Sequence, residues 1–75
     1  MTVGELAGVL CARWDSHLPT VTRIVGEYAL VFGFVDTRGE FPDLPAVELT
    51  QMQADRIREV FDVAEYAAGR TPLPG

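Results

Sequence analysis

Few side chains in this sequence combine the types and spacing that catalysis or metal binding requires. Asp15, Ser16 and His17 supply the residue types of a hydrolytic triad, but they are consecutive, whereas working triads are assembled from separated positions. Cys11 is the only cysteine and His17 the only histidine, which excludes an internal disulfide and a zinc site built from both residue types. We therefore expect no enzymatic activity, no cofactor and no metal, and a buried, inert thiol at Cys11.

Composition bounds the remaining classes of function. The 75 residues carry eleven acids and six arginines, for a net charge of −5, which disfavours non-specific binding to nucleic acid. The apolar run at 28–35 is far shorter than the roughly 20 residues of a membrane span. The start of the chain lacks the basic and apolar regions of a signal peptide. We expect a cytoplasmic protein with a small core that gains support from self-association.

The sequence predicts three helices, of which the first two lie in the first half of the chain. Thr2 and Glu5 form a capping box, which predicts a helix from Val3 with Leu6, Ala7, Leu10 and Trp14 as its apolar stripe. A central helix is predicted from Pro19 to about Phe32, closed by Gly33. Its core stripe consists of Val21, Ile24, Val25, Tyr28, Ala29 and Phe32, and its other side of Thr22, Arg23, Gly26 and Glu27.

A β-hairpin is the alternative for the central segment. Residues 20–25 and 28–35 are rich in β-branched side chains, and Gly26-Glu27 between them suits a two-residue turn. One face of such a hairpin would mix apolar and charged side chains. The polar pairs at 22–23 and 26–27 fit a helical period better.

The second half predicts a short β-ribbon and a third helix. Residues 34–36 and 46–49 are predicted strands, with a turn at 36–39. Thr50, with Gln53, caps a helix that Gly69 ends. The predicted fold is mainly α (α+β): a single winged-helix-like domain over residues 1–70 and an extended, proline-containing tail over residues 71–75.

This order of elements resembles the winged helix-turn-helix of MarR-type transcription regulators. Thr2-Val3-Gly4-Glu5-Leu6-Ala7 is similar to the helix that opens their motif, and Pro19 to Val25 to the start of their recognition helix. Gly33-Phe34-Val35 is similar to the entry of their wing, and Leu49-Thr50 to its exit.

The resemblance implies a small non-enzymatic regulator that contacts double-stranded DNA. Side chains at the start of a recognition helix reach bases and phosphates, and a wing-tip arginine reaches the minor groove. The alternative reading of these positions is ordinary solvated residues, because three arginines face five acids in that half of the chain. The candidate DNA contacts are Arg13, Thr20, Thr22, Arg23 and Arg38.

Apolar residues outside the predicted stripes indicate a protein interface. The last helix carries a core stripe and further apolar residues on another side, so we expect a homodimer that uses this helix. The alternative is a monomer in which the tail covers that side. The alternative function is a phage or bacterial adaptor that binds another protein and not DNA. The candidate interface residues are Leu30, Phe34, Met52, Val63 and Tyr66.

Overall fold

A computed structural model describes residues 1–36 and 43–74. Three α-helices follow one another along the chain: α1 at Val3–Trp14, α2 at Leu18–Val31 and α3 at Gln51–Ala67. A single 3-10 turn at Leu44–Ala46 lies between α2 and α3 within the described part. The three predicted helices are confirmed, each to within about two residues.

Helix α1 begins and ends with local backbone signals. The Thr2 hydroxyl accepts from the Glu5 N–H at 3.1 Å, and the Thr2 N–H donates to Glu5 Oε1 at 2.9 Å, so the predicted capping box is present. Asp15 ends the helix in the left-handed conformation, with φ 49°. The buried side consists of Val3, Leu6, Ala7, Leu10 and Trp14.

Helix α2 confirms the helical interpretation of the central segment over the hairpin. Pro19 lies in the first turn, where its missing N–H costs nothing. Val21, Val25 and Ala29 are buried at helical spacing. Gly26, which was predicted on the solvated side, is buried as well.

Leu44 explains the burial of Gly26. A Cβ placed on Gly26 would lie 2.9 Å from Leu44 Cδ1, so the missing side chain is what lets the 3-10 turn pack on α2. The polar periodicity of α2 could not reveal this contact, because Leu44 comes from a segment eighteen positions later.

The predicted strand at 34–36 is wrong, because its first backbone N–H group forms a hydrogen bond with the end of α2. Gly33 adopts φ 76°, and the chain turns back on the helix. The Phe34 N–H then donates to the Ala29 carbonyl at 2.8 Å, and the Gly33 N–H donates to Leu30 at 3.1 Å. A donor that closes the helix is unavailable to a β-ladder.

The predicted strand at 46–49 pairs elsewhere. Glu48 forms an isolated antiparallel bridge with Thr2, flanked by bonds from Val3 N–H to the Val47 carbonyl and from Leu49 N–H to Met1. No strand and no ribbon occurs in residues 1–36 and 43–74, and most of the predicted turn at 36–39 lies outside them. The predicted α+β, winged-helix-like fold is therefore wrong: the described residues form a small, mainly helical domain of three helices.

Helix α3 packs its inner side on both other helices. Thr50 and Gln53 form the predicted capping box, with bonds of 3.0 and 3.1 Å. Ala54, Ile57 and Phe61 are buried, and Gly69 reverses the chain with φ 82°. The chain that follows α3 returns to α1, where the Leu73 N–H donates to the Arg13 carbonyl at 2.6 Å.

Candidate functional site

The side of α3 that points away from the core carries exposed apolar side chains. Met52 is 79% exposed, Val63 63% and Tyr66 54%. The exposed charged residues Arg56 and Glu59 lie between them at spacings of four and three, which places all five on one side of the helix. We call this side the outward face: Met52, Arg56, Glu59, Val63 and Tyr66.

An aromatic groove adjoins the first turn of the outward face. Its volume is about 460 Å³. Phe32 stacks on Tyr28 at 6.1 Å and packs against Phe34 at 5.5 Å between ring centroids. The Arg56 guanidinium lies 5.7 Å from the Phe32 ring centroid, so a cation–π contact holds this charge at the edge of the groove. The lining residues are Phe32, Phe34, Thr50, Met52, Gln53 and Arg56.

The other end of the outward face is anchored to α1. Tyr66 packs edge-on against Trp14, with ring centroids 5.1 Å apart and planes at 80°. The Trp14 Nε1–H donates to Asp62 Oδ1 at 2.8 Å, and Arg13 Nε lies 3.4 Å from the same oxygen. Trp14 is only 1% exposed, so Asp62 satisfies a buried donor. These contacts fix the rotation of α3 and therefore the direction of its outward face.

Arg70 ties the end of α3 to the end of α1. Its guanidinium donates to Ser16 Oγ at 2.9 Å and to Glu65 Oε2 at 2.8 Å, and also to the Trp14 and Asp15 carbonyls. Carbonyls at a helix C-terminus lack helical partners and carry partial negative charge, which a guanidinium neutralises. This role of Arg70 could not be predicted from the sequence, because it depends on contacts across more than fifty positions.

Four of the candidate DNA contacts lie in the described residues, one on α1 and three within one turn of α2. Arg13 pairs with Asp62 at the junction of α1 and α3. Thr20 lies 3.2 Å from the His17 ring, and the Thr22 hydroxyl donates to its own helix at Leu18, 2.8 Å away. Arg23 is exposed on α2. The fifth candidate, Arg38, lies outside the described residues.

The side chains considered for catalysis have structural partners. Ser16 Oγ is 3.3 Å from the Trp14 carbonyl, and His17 contacts Thr20 rather than Ser16. Burial raises the pKa of the half-buried Cys11 thiol, which opposes formation of a reactive thiolate. Within residues 1–36 and 43–74, no three His, Cys, Asp or Glu side chains are grouped to hold a metal ion.

The candidate interface residues fall into two sets. Met52, Val63 and Tyr66 lie on the outward face of α3, whereas Leu30 and Phe34 are half-buried. Arg56 and Glu59, the charged members of this face, were not among the predicted site residues. The signal that could have found them is the alternating spacing of four and three from Met52, which places all five residues on one side of α3.

Comparison with known proteins does not assign this chain to a family. No protein-family model, no curated protein and no solved structure matches the chain significantly. The relation to MarR-type regulators therefore stays a prediction. Separately, none of the helices in the described part of the chain is both long and apolar enough to cross a membrane.

Proposed function

We propose that this protein is a non-enzymatic interaction adaptor that binds protein through the outward face of α3 and the adjoining aromatic groove. The observation that carries the proposal is the exposure of Met52, 79%, directly beside the groove. A thioether side chain adapts its shape to an apolar partner, which suits a docking surface. Grouped exposed apolar side chains are typical of surfaces that bind another protein.

The chemistry of the face defines the partner. Apolar side chains at both ends of the face require apolar side chains about three helical turns apart on the partner. Arg56 and Glu59 in the middle require one acidic and one basic group there, because an unmatched charge at an interface costs affinity. An amphipathic helix with this pattern meets both requirements.

The charges of the chain support a protein partner over DNA. A duplex-binding surface gathers cations along one face, whereas Arg13 is paired with Asp62 and the outward face balances Arg56 with Glu59. The whole-chain charge of −5 opposes approach to phosphate.

A peptide-display selection tests the proposal. The immobilised wild-type protein is used to select helical peptides, which are then measured against Met52→Asp/Val63→Asp. The matched control is Leu18→Asp, which adds an acid at a 50% exposed apolar position on α2. We expect selected peptides to carry apolar residues at helical spacing, to lose at least about tenfold in affinity for the double variant, and to keep it for the control.

Two outcomes would contradict the proposal. If the peptides bind the double variant as tightly as the wild type, they bind another surface. Binding of an unrelated DNA duplex at low salt, weakened by Arg23→Ala and by added salt, would instead indicate a nucleic-acid-binding function.

A further inference from the structure

We propose that the partner of the outward face is a second copy of this chain, bound with the two α3 helices antiparallel across a twofold axis between positions 57 and 58. The inference rests on the proposed function, since it assigns an occupant to the same surface. The arrangement follows from the order of residue types along the face, which is apolar, basic, acidic, apolar and aromatic.

The twofold axis makes the face complementary to itself. In an antiparallel pair centred between positions 57 and 58, the numbers of two residues that face each other add up to 115. Met52 then lies opposite the partner's Val63, and Arg56 opposite the partner's Glu59. The symmetry repeats each pair, which gives two apolar contacts at the ends and two ion pairs in the middle. The alternating four-three spacing keeps all of them on the seam between two closely aligned helices.

Charge selects this orientation. A parallel pair in register would place Arg56 against Arg56 and Glu59 against Glu59, which is repulsive at both levels. The antiparallel pair converts both repulsions into attractions. In the described part of the chain neither side chain has an ion pair of its own, and Arg56 is held in place over Phe32. Both charges are therefore available to a partner.

The second copy also supplies an occupant for the aromatic groove. The same register brings the partner's Tyr66 level with position 49, two residues before α3 begins and next to Thr50 of the groove lining. The Tyr66 ring packs one edge on Trp14 of its own chain and is 54% exposed, so its exposed side can face the groove. An aromatic ring with a polar tip suits a cavity of about 460 Å³ that is apolar inside and carries Arg56 at its edge. Groove and ring belong to the same chain, so each copy both supplies and receives a ring.

Charge-swapped variants and their mixture test the register. Arg56→Glu alone would face acid with acid, and Glu59→Arg alone would face base with base. Mixed one to one, the two variants restore both ion pairs in a heterodimer. Sedimentation equilibrium on the 8.2 kDa chain separates these cases. We expect a dimeric wild type, at least about tenfold weaker association for each single variant, and recovery in the mixture and in the double variant Arg56→Glu/Glu59→Arg.

Matched controls make each outcome decisive. Arg23→Glu and Glu27→Arg make the same charge changes at exposed positions of α2, and we expect both to dimerise as the wild type does. Far-ultraviolet circular dichroism checks that every variant keeps its helices. A wild type that stays monomeric up to about 0.5 mM, well above the Kd range of stable dimers, overturns the second copy as occupant. The peptide selection would then still decide whether the protein is an adaptor.

A different pattern would overturn the pairing through the outward face and leave only the dimer itself. Single variants that each dimerise as well as the wild type, with no preference for the heterodimer, would show that the two copies meet through another surface.

Discussion

Asp62→Ala is expected to destabilise the fold, because it removes the acceptor of a buried indole. The Trp14 Nε1–H lies 2.8 Å from Asp62 Oδ1, and Trp14 is 1% exposed. Hydrogen bonds to charged groups contribute about 1.5–3 kcal/mol, and a buried donor left unpaired costs about 1–3 kcal/mol. The ion pair with Arg13 adds at most about 1 kcal/mol, since that side chain is 41% exposed. We expect the free energy of unfolding to fall by about 2–3 kcal/mol.

Urea denaturation followed by fluorescence of the single tryptophan measures this loss. All samples are compared at one protein concentration, because self-association adds to apparent stability. Asp62→Asn is the matched control: it keeps an acceptor for Trp14 and loses only the charge, so we expect a loss below about 1.5 kcal/mol. An Asp62→Ala protein within about 0.5 kcal/mol of wild type would refute the reasoning, since such a change is ordinary for a surface position.

Four further outcomes are expected from the surroundings of single residues. Gly8→Ala should stabilise the protein by about 0.5–1 kcal/mol, because nothing lies within 4 Å of the added methyl on α1. Gly33→Ala should destabilise it by about 1–2 kcal/mol, because φ is 76° there; urea denaturation measures both. The pKa of Glu5 is lowered, first by the Thr2 N–H and then by the Thr2 hydroxyl, so its stabilising effect is complete above the ordinary carboxyl pKa and is lost as pH falls through the lowered one. A carboxyl titration by NMR should show this pKa rising in Thr2→Ala. The raised pKa of Cys11 should make its reaction with a disulfide reagent at pH 8 slower than that of free cysteine.

The helices could be predicted because their signals are local. The two members of each capping box, Thr2 with Glu5 and Thr50 with Gln53, are only three residues apart in the sequence. Gly33 and Gly69 adopt the left-handed conformation that ends a helix. These features do not depend on where the helices later pack.

The β-ribbon was predicted wrongly because strand pairing depends on which backbone groups remain free after packing. The Phe34 N–H closes α2, which removes it from any ladder. Glu48 meets the extended start of the chain instead, where Thr2 precedes the first helical turn. Neither choice is visible in the short apolar runs at 34–36 and 46–49, since both runs fit a strand equally well.

The candidate site was predicted only in part, because the role of its polar side chains depends on how the helices pack. Met52, Val63 and Tyr66 stood out as apolar residues away from the core stripe. Glu59 and Asp62 are both acidic residues of α3, yet Asp62 accepts from the buried Trp14 indole and Glu59 is exposed. Polarity alone cannot separate these two roles, because the difference lies in what α1 places beside each side chain.

An isotope-filtered nuclear Overhauser experiment tests the proposed pairing of α3 helices most directly. One copy carries ¹³C-labelled Met52 methyl groups and is mixed with unlabelled protein. Met52 and Val63 of one chain lie about 16 Å apart along α3, too far for a contact within the chain. We predict a cross-peak from the labelled Met52 methyl to Val63 methyls of the unlabelled copy, lost in Arg56→Glu. A dimer with no such cross-peak, or with contacts between the two Met52 methyls, would contradict the antiparallel arrangement.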